Sequence, residues 1–455
     1  MPIPPTPEPV SRVLAGQRAF FQKGGTRDLD TRISALERLE SALADRQQEM
    51  LDALAGDLGK PEFEAFLAEH VFVLQEIRLI RKSLKKWLKP RRAGGSVYFF
   101  PSSNHVRFEP FGAALVISPW NYPIQLALSP LVSAIAAGNT VILKPSEMAP
   151  ASGAFLSRLV KDCLPPEWAT VVTGGKETSE ALLEEHFDFI FFTGSTEVGR
   201  SIAGKAARHL TPCVLELGGK CPCVVNRDAD LAITARRILS GKLFNAGQTC
   251  FSPDFVVVHV ELRDELVKEL TKLLQELPWE QEMARIVNER HFSRLQGLLR
   301  GDEIRKGEDD PAALHFAPRI VAADWDHPAM REEIFGPILP VMTFSTADDL
   351  VGRLREFPTP LALYAFSRDK AFTADLIARV PSGGVCINDT GKHAMNLKLP
   401  FGGAGASGHG CYRGRFGVES FSRQRAVTRR YFLPDPFEAL PPRGKTAKFL
   451  RRWIR

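Results

Sequence analysis

The sequence predicts an α/β fold, and three observations carry that expectation. Between residues 113 and 192 short apolar runs alternate with helical patterns. The same alternation returns between residues 255 and 388. At 455 residues the chain is also too long for one ordinary core, so two or three domains are expected. Strands joined through helices pair in parallel, which makes parallel sheets the expected frame.

The opening MPIPPTPEPV is proline-rich and has no apolar stretch of the kind a signal peptide carries. It reads as a loosely attached lead over 1–10. Residues 28–56 read as one long amphipathic helix, with Ile33, Leu36, Leu39, Leu43, Met50 and Leu51 on its apolar stripe. A second helical pair covers 62–88, and Pro90 ends it. Residues 96–100 and 105–109 are strand-like around Pro101-Ser102-Ser103-Asn104, the pattern of a β-hairpin.

A strand over 113–118 then runs into Pro119-Trp120-Asn121-Tyr122-Pro123. Two prolines stiffen that turn and present the Asn121 amide at a strand end, where α/β sheets bind ligands. Lys144 and Glu147 follow the next strand, 140–143, in the same way. Further on, the strand 187–192 meets Thr193-Gly194-Ser195-Thr196-Glu197-Val198-Gly199, which opens a helix. Strand, glycine turn and helix N-terminus present free N–H groups to an anion. The turn lacks the third glycine of GxGxxG, so as a bare pattern it is weak.

The stretch 215–253 reads LELGGKCPCVVNRDADLAITARRILSGKLFNAGQTCFSP. Leu231, Ala235, Ile238, Leu239 and Leu243 mark a helix. Asn245 and Gly247 suit a left-handed stop. Cys250 then lies just past a helix end, with Glu216 before the Gly218-Gly219 turn. That pairing suits a thiol nucleophile served by a carboxylate base. Taken one at a time, a buried cysteine and a surface glutamate are the commoner reading. Beyond Cys250 come strand 255–260, helices 263–277 and 290–300, and strand 320–322. Glu332-Glu333-Ile334-Phe335 precedes strand 338–344, and further strands cover 361–366, 384–388 and 426–432. The glycine-dense loop 400–408 has no Lys-Ser/Thr after it, so it is no Walker A.

LELGGK and FNAGQTC resemble the two signature segments of the aldehyde dehydrogenase superfamily. The resemblance runs from about residue 18 to residue 432 and is strongest toward the class 3 branch. It implies an aldehyde dehydrogenase-like fold with three parts. A Rossmann-like NAD(P)-binding domain would take 1–89 and 110–213, and an α/β catalytic domain 214–391. A β bridging and oligomerisation element would take 90–109 and 392–432, leaving 433–455 as a basic tail. The resemblance makes Cys250 the nucleophile, Glu216 the general base and Asn121 an oxyanion donor with the Cys250 N–H. It gives cofactor contacts to Trp120, Lys144, Glu147, Gly194, Ser195, Gly199, Glu333 and Phe335. Lys144 and Glu147 stand in for the usual ribose acid, Glu333 meets the nicotinamide ribose and Phe335 its ring. The implied cofactor is NAD, with NADP also accepted. The implied substrates are medium- or long-chain aliphatic or aromatic aldehydes, and the implied assembly is a homodimer. Two other function classes stay open on the residues alone: a cysteine hydrolase of esters using Cys250, Asn121 and Glu216, and a non-catalytic protein that keeps the fold.

Composition narrows the rest. Hydrophobic residues make up 44% and charged residues 25%, a globular profile. The net charge of +6 is matched by six basic residues in 443–455, so the body carries no basic excess for nucleic acid. Seven scattered cysteines fit reduced thiols in a cytoplasm. Cys221-Pro222-Cys223 is too close for a zinc pair and there is no HExxH, so no metal site is expected. The tail RGKTAKFLRRWIR, if helical, stacks Phe449 on Trp453 and Leu450 on Ile454 among cations. That is the composition of a helix drawn weakly to anionic membrane surfaces, with docking on its own dimer or solvation as the alternative.

Overall fold

The computed structural model describes residues 10–95, 101–276, 278–301, 303–433, 441, 443–444, 447–448 and 451. Helix Val10–Gln22 shows that Val10 is already structured; residues 1–9 of the expected lead lie outside the described residues. The long helix expected over 28–56 is two helices, Leu29–Asp45 and Gln47–Leu58. Asp28 caps the first, its side chain accepting from Thr31 N–H at 2.8 Å. The break falls at Arg46, whose φ of −105° and ψ of 26° leave the helical region. Residues 62–87 form one helical run with a π-helical segment, Phe66–Val71, in its middle. These helices bury Leu36, Leu39, Leu43, Ile77 and Ile80 in the main core. That core also holds helix Gln125–Ala137, every residue of which is buried. An all-round apolar helix has no other stable place.

Among the described residues the strands make three sheets. The first runs in the order Gly408–His409, Cys213–Glu216, Phe189–Thr193, Ala113–Ile117, Thr140–Lys144, Ala169–Val171. All neighbours are parallel except the first pair. Its strands are buried apolar runs, as parallel strands covered on both faces must be. Residue 214, the expected start of a catalytic domain, lies inside the strand Cys213–Glu216 of this sheet. The second sheet has seven strands in the order Ile304–Arg305, Arg319–Ala322, Ile338–Phe344, Phe255–His259, Pro222–Val225, Ala362–Phe366, Gly384–Ile387. Only its Ile304–Arg305 edge is antiparallel.

The third sheet corrects the expected hairpin. Ser102–Pro110 is one continuous strand, so residues 102–104 are not a turn. It pairs antiparallel with Ser422–Arg430, from Ser102 opposite Arg430 to Pro110 opposite Ser422, and with Arg91–Arg92. Two serines and an asparagine are turn formers in isolation, but a full-length ladder to a distant strand overrides local preference. Residues 96–100, the other arm of the expected hairpin, lie outside the described residues, as do Phe449, Leu450, Trp453 and Ile454 of the tail. No helix among the described residues is long and apolar enough to cross a membrane.

Candidate active site

The parallel sheet delivers Glu216, Thr193, Ile117 and Lys144 to one end of its strands, as register pairs Thr193 with Glu216 and Ile117 with Lys144. Ligands collect at that end because helix N-termini and free backbone groups gather there. A cleft of about 720 Å³ opens over it. Trp120, Asn121, Gly194, Ser195, Glu216, Cys250, Glu333 and Phe335 all line it. Lys144, Glu147 and Gly199 do not.

Cys250 follows a left-handed turn that the chain needs to leave its helix. Helix Leu231–Leu243 is capped by Asp230, which accepts from Ile233 N–H. Asn245, Ala246 and Gly247 then take φ of 55°, 53° and 72°. A Cβ on Gly247 would lie 2.3 Å from the Gly336 oxygen, so glycine is required there. Cys250 itself is half-buried. Desolvation, then the charges of Glu333 and Glu216, push its thiol up to about 12. Glu216 is 2% exposed. Its burial raises the carboxyl well above the usual range, against the pull of Arg413. Neither Glu216 side-chain oxygen has a hydrogen-bond partner among the described residues. A buried carboxyl left unsatisfied is costly and points to a partner that arrives with the reaction.

Asn121 is 3% exposed, and its amide donates to the Gln248 main-chain oxygen at 3.0 Å. One N–H is thereby fixed two residues from Cys250 and a second remains. The neighbouring Trp120 ring meets Phe335 edge-on at 5.4 Å and His291 at 5.6 Å. Phe335 holds a φ of 49°, strained for a residue with a side chain. Buried Lys220, which forms an ion pair with Asp254, anchors this segment. Its ammonium donates to Ala329 O at 2.7 Å and Glu332 O at 2.9 Å, while Asp254 accepts from Ile334 N–H at 2.8 Å. Between these bonds Glu333 is held half-buried, and burial pushes its carboxyl up to about 8.

The glycine turn Gly194-Ser195 is tied to the strand that ends in Glu216: Gly194 N–H donates to Glu216 O at 3.0 Å. Ser195 caps helix Thr196–Arg208, accepting from Val198 N–H. Gly199 serves packing in this structure, since a Cβ there would lie 2.6 Å from Leu217 Cδ2. Lys144 is buried and bonds the exposed Glu147 carboxylate at 2.8 Å. Burial works to raise that carboxyl, but the lysine bond, a backbone hydrogen bond and the lysine charge together leave it below its ordinary range.

An anionic dinucleotide fits what this cleft offers. Arg200, Arg294 and Arg331 line it beside the helix N-terminus, and Thr193 Oγ1 is buried without a partner among the described residues. No group of three or more metal-ligating side chains occurs among the described residues.

The residues missed by sequence reading are chiefly Arg413, Lys60 and Glu69. Arg413 is 2% exposed with a φ of 90°. With the Gln125 amide turned to accept, its guanidinium donates at 2.6 and 2.8 Å, and it lies 4.4 Å over both Phe72 and Tyr412. It is the buried cation facing Glu216 and Cys250. The glycines at 410 and 414 were its only sequence signal.

A second cavity, of about 610 Å³, reaches Thr249 and Phe251 on either side of Cys250, together with Tyr122 and Arg413.

Known proteins resemble this chain over nearly its whole length. The family model described as "Aldehyde dehydrogenase family" matches residues 6–427. Aldehyde dehydrogenase family 3 member H1 of Arabidopsis thaliana is 42% identical over 449 residues, 96% of this chain and 93% of that one. The dimeric, NADP-preferring aldehyde dehydrogenase of Canis lupus familiaris is 38% identical over 433 residues, 94% of this chain and 96% of that one. A solved substrate-bound state of Staphylococcus aureus AldH superposes with a TM-score of 0.95 at 36% identity, covering 98% of this chain and 99% of that one. The chain belongs to the aldehyde dehydrogenase family and is an oxidoreductase acting on aldehydes.

Proposed function

We propose that the enzyme oxidises medium- or long-chain aliphatic or aromatic aldehydes to carboxylic acids through a thioester on Cys250, with NAD as cofactor and NADP also accepted. One observation carries this reading. Two cavities approach Cys250, one edged by the helix N-terminus that opens at Ser195, the other walled by Phe63, Leu67, Phe244 and Phe251. The first suits a dinucleotide and the second an apolar aldehyde.

In this reading the helix Thr196–Arg208, with Ser195 and Gly194, holds the pyrophosphate. Lys144 and Glu147 hold the adenosine ribose, Glu333 the nicotinamide ribose, and Trp120 and Phe335 border the ring. Gly199 supports them by letting the helix close on Leu217. Lys144, bonded to Glu147, offsets part of that carboxylate's repulsion of a 2′-phosphate, which supports acceptance of NADP. The sheet bearing Phe189–Thr193 serves the cofactor and the sheet bearing Phe255–His259 the substrate. The exposed edge of Ser422–Arg430 supports a homodimer.

An aldehyde has no leaving group, so a nucleophile must first make its carbon tetrahedral. Cys250 gives its proton to water in the cleft and its sulfur bonds that carbon. The carbonyl oxygen becomes an oxyanion, and Asn121 with the Cys250 N–H receives it; such a donor is typically worth roughly 3 kcal/mol. Bound NAD(P) supplies the hydride acceptor and a cationic ring that favours the thiolate. The acyl group left on Cys250 is a thioester. Glu216, as carboxylate, takes a proton from water; the resulting hydroxide attacks, and Cys250 leaves as thiolate and recovers that proton from Glu216. Aldehyde, water and oxidised cofactor thus become acid, reduced cofactor and one proton.

The test is formation of reduced cofactor from a panel of aliphatic and aromatic aldehydes with NAD and with NADP. Cys250→Ala should lower turnover by about a thousandfold or more while cofactor binding stays nearly intact. Retained dehydrogenase activity in that variant would overturn the nucleophile assignment. No reduced cofactor with any aldehyde would overturn the whole reading, and thiol-dependent ester hydrolysis alone would favour a hydrolase.

A further inference from the structure

The second cavity carries charge at its mouth that a plain hydrocarbon aldehyde would leave unused. Its mouth carries Arg236 and Arg237, on the outer side of helix Leu231–Leu243, and Lys392, at the start of helix Lys392–Met395. Asp389 is the acidic side chain lining it. That acid is already engaged: Arg237 Nε lies 3.7 Å from it and Arg237 also bonds Asn388 O. Arg236 and Lys392 are exposed and make no ion pair among the described residues. Beside them Phe63, Leu67 and Met395 are 67%, 39% and 37% exposed, an unusual density of apolar side chains for a charged rim. The mouth therefore offers two unpaired cations at the outer end of an apolar passage whose inner end reaches Thr249 and Phe251.

We propose that the enzyme prefers aldehydes bearing an anionic group, a carboxylate above all, at the far end of an apolar chain. Arg236 and Lys392 hold that group at the mouth while the aldehyde carbon reaches Cys250. The proposal rests on the reading of this cavity as the aldehyde's entrance. A neutral aldehyde of equal length would make the same apolar contacts and lose only the charged ones. Exposed ion pairs are individually weak and screened by salt, so two together give a preference of about tenfold at low ionic strength, fading at high salt.

The experiment compares an ω-carboxy aliphatic aldehyde with its methyl ester at saturating NAD. The expected result is a kcat/KM about tenfold higher for the acid at low salt, expressed in KM, and near parity in high salt. The Arg236→Glu/Lys392→Glu double variant should invert the acid-to-ester ratio. Equal efficiency for the two aldehydes, or a ratio unmoved by the double variant, would overturn the proposal while leaving the dehydrogenase reading standing. Failure of both aldehydes to yield reduced cofactor would instead overturn the dehydrogenase reading, and this proposal with it.

Discussion

The buried Lys60 ammonium donates to the main-chain oxygen of Asn121 at 2.9 Å. Its charge is balanced by Glu69, and both side chains are fully buried. Glu69, on the π-helical segment, in turn accepts from Ile124 N–H at 2.9 Å and Gln125 N–H at 3.1 Å. The ion pair thus clamps both sides of the Asn121 turn. A single wide helical turn, where π-segments often mark function, brings the carboxylate to it. Lys60→Met should strand the Glu69 charge and cost about 3 kcal/mol of stability. In the folded variant kcat should fall by about tenfold as the Asn121 amide drifts. Urea unfolding and steady-state kinetics check both; an unchanged kcat would show that Asn121 keeps its place without the clamp.

Glu64 makes a comparable clamp on the other side, accepting from Asn245 N–H at 2.9 Å where the left-handed turn begins. Burial pushes its carboxyl up to about 7, against that bond and the Lys60 charge. The folded value lies above the unfolded one, so the contribution is full below about 4.5 and is lost as pH rises through about 7. Glu64→Gln removes the ionisation and keeps the acceptor. Relative to wild type it should gain roughly 3 kcal/mol between pH 4 and pH 8. Denaturant midpoints of the two proteins at both pH values measure this, and parallel profiles would refute it.

The Cys250 thiol, pushed up to about 12, should be a poor nucleophile in the cofactor-free enzyme. Its alkylation by iodoacetamide, read on the Cys250 peptide by mass spectrometry, should rise about tenfold per pH unit from pH 7 to 10. Saturating NAD should raise the rate at pH 7. A plateau below pH 8 without cofactor would show that the protein alone activates the thiol.

Much of the site was legible because its chemistry sits in dense local words. Glu216 precedes a double glycine, Cys250 follows a helix stop, and Gly194-Ser195 joins strand to helix. Each carries its geometry in adjacent residues. Arg413, Lys60 and Glu69 were not legible, because a lone charge acquires meaning only from what buries it, and their partners lie far along the chain. The expected hairpin failed for the converse reason. Pro101-Ser102-Ser103-Asn104 has strong local turn chemistry, yet the ladder to Ser422–Arg430 decides its form. The helix break at Arg46 had no glycine or proline to announce it.

Glu216→Gln separates the two halves of the proposed reaction. Glutamine keeps the shape of the side chain and cannot take a proton from water. Mixed rapidly with NAD and an aldehyde, this variant should release a burst of about one equivalent of reduced cofactor and then stall, with the acyl group recovered on the Cys250 peptide. Steady turnover at the wild-type rate, or a burst with no acyl group on Cys250, would contradict the thioester mechanism.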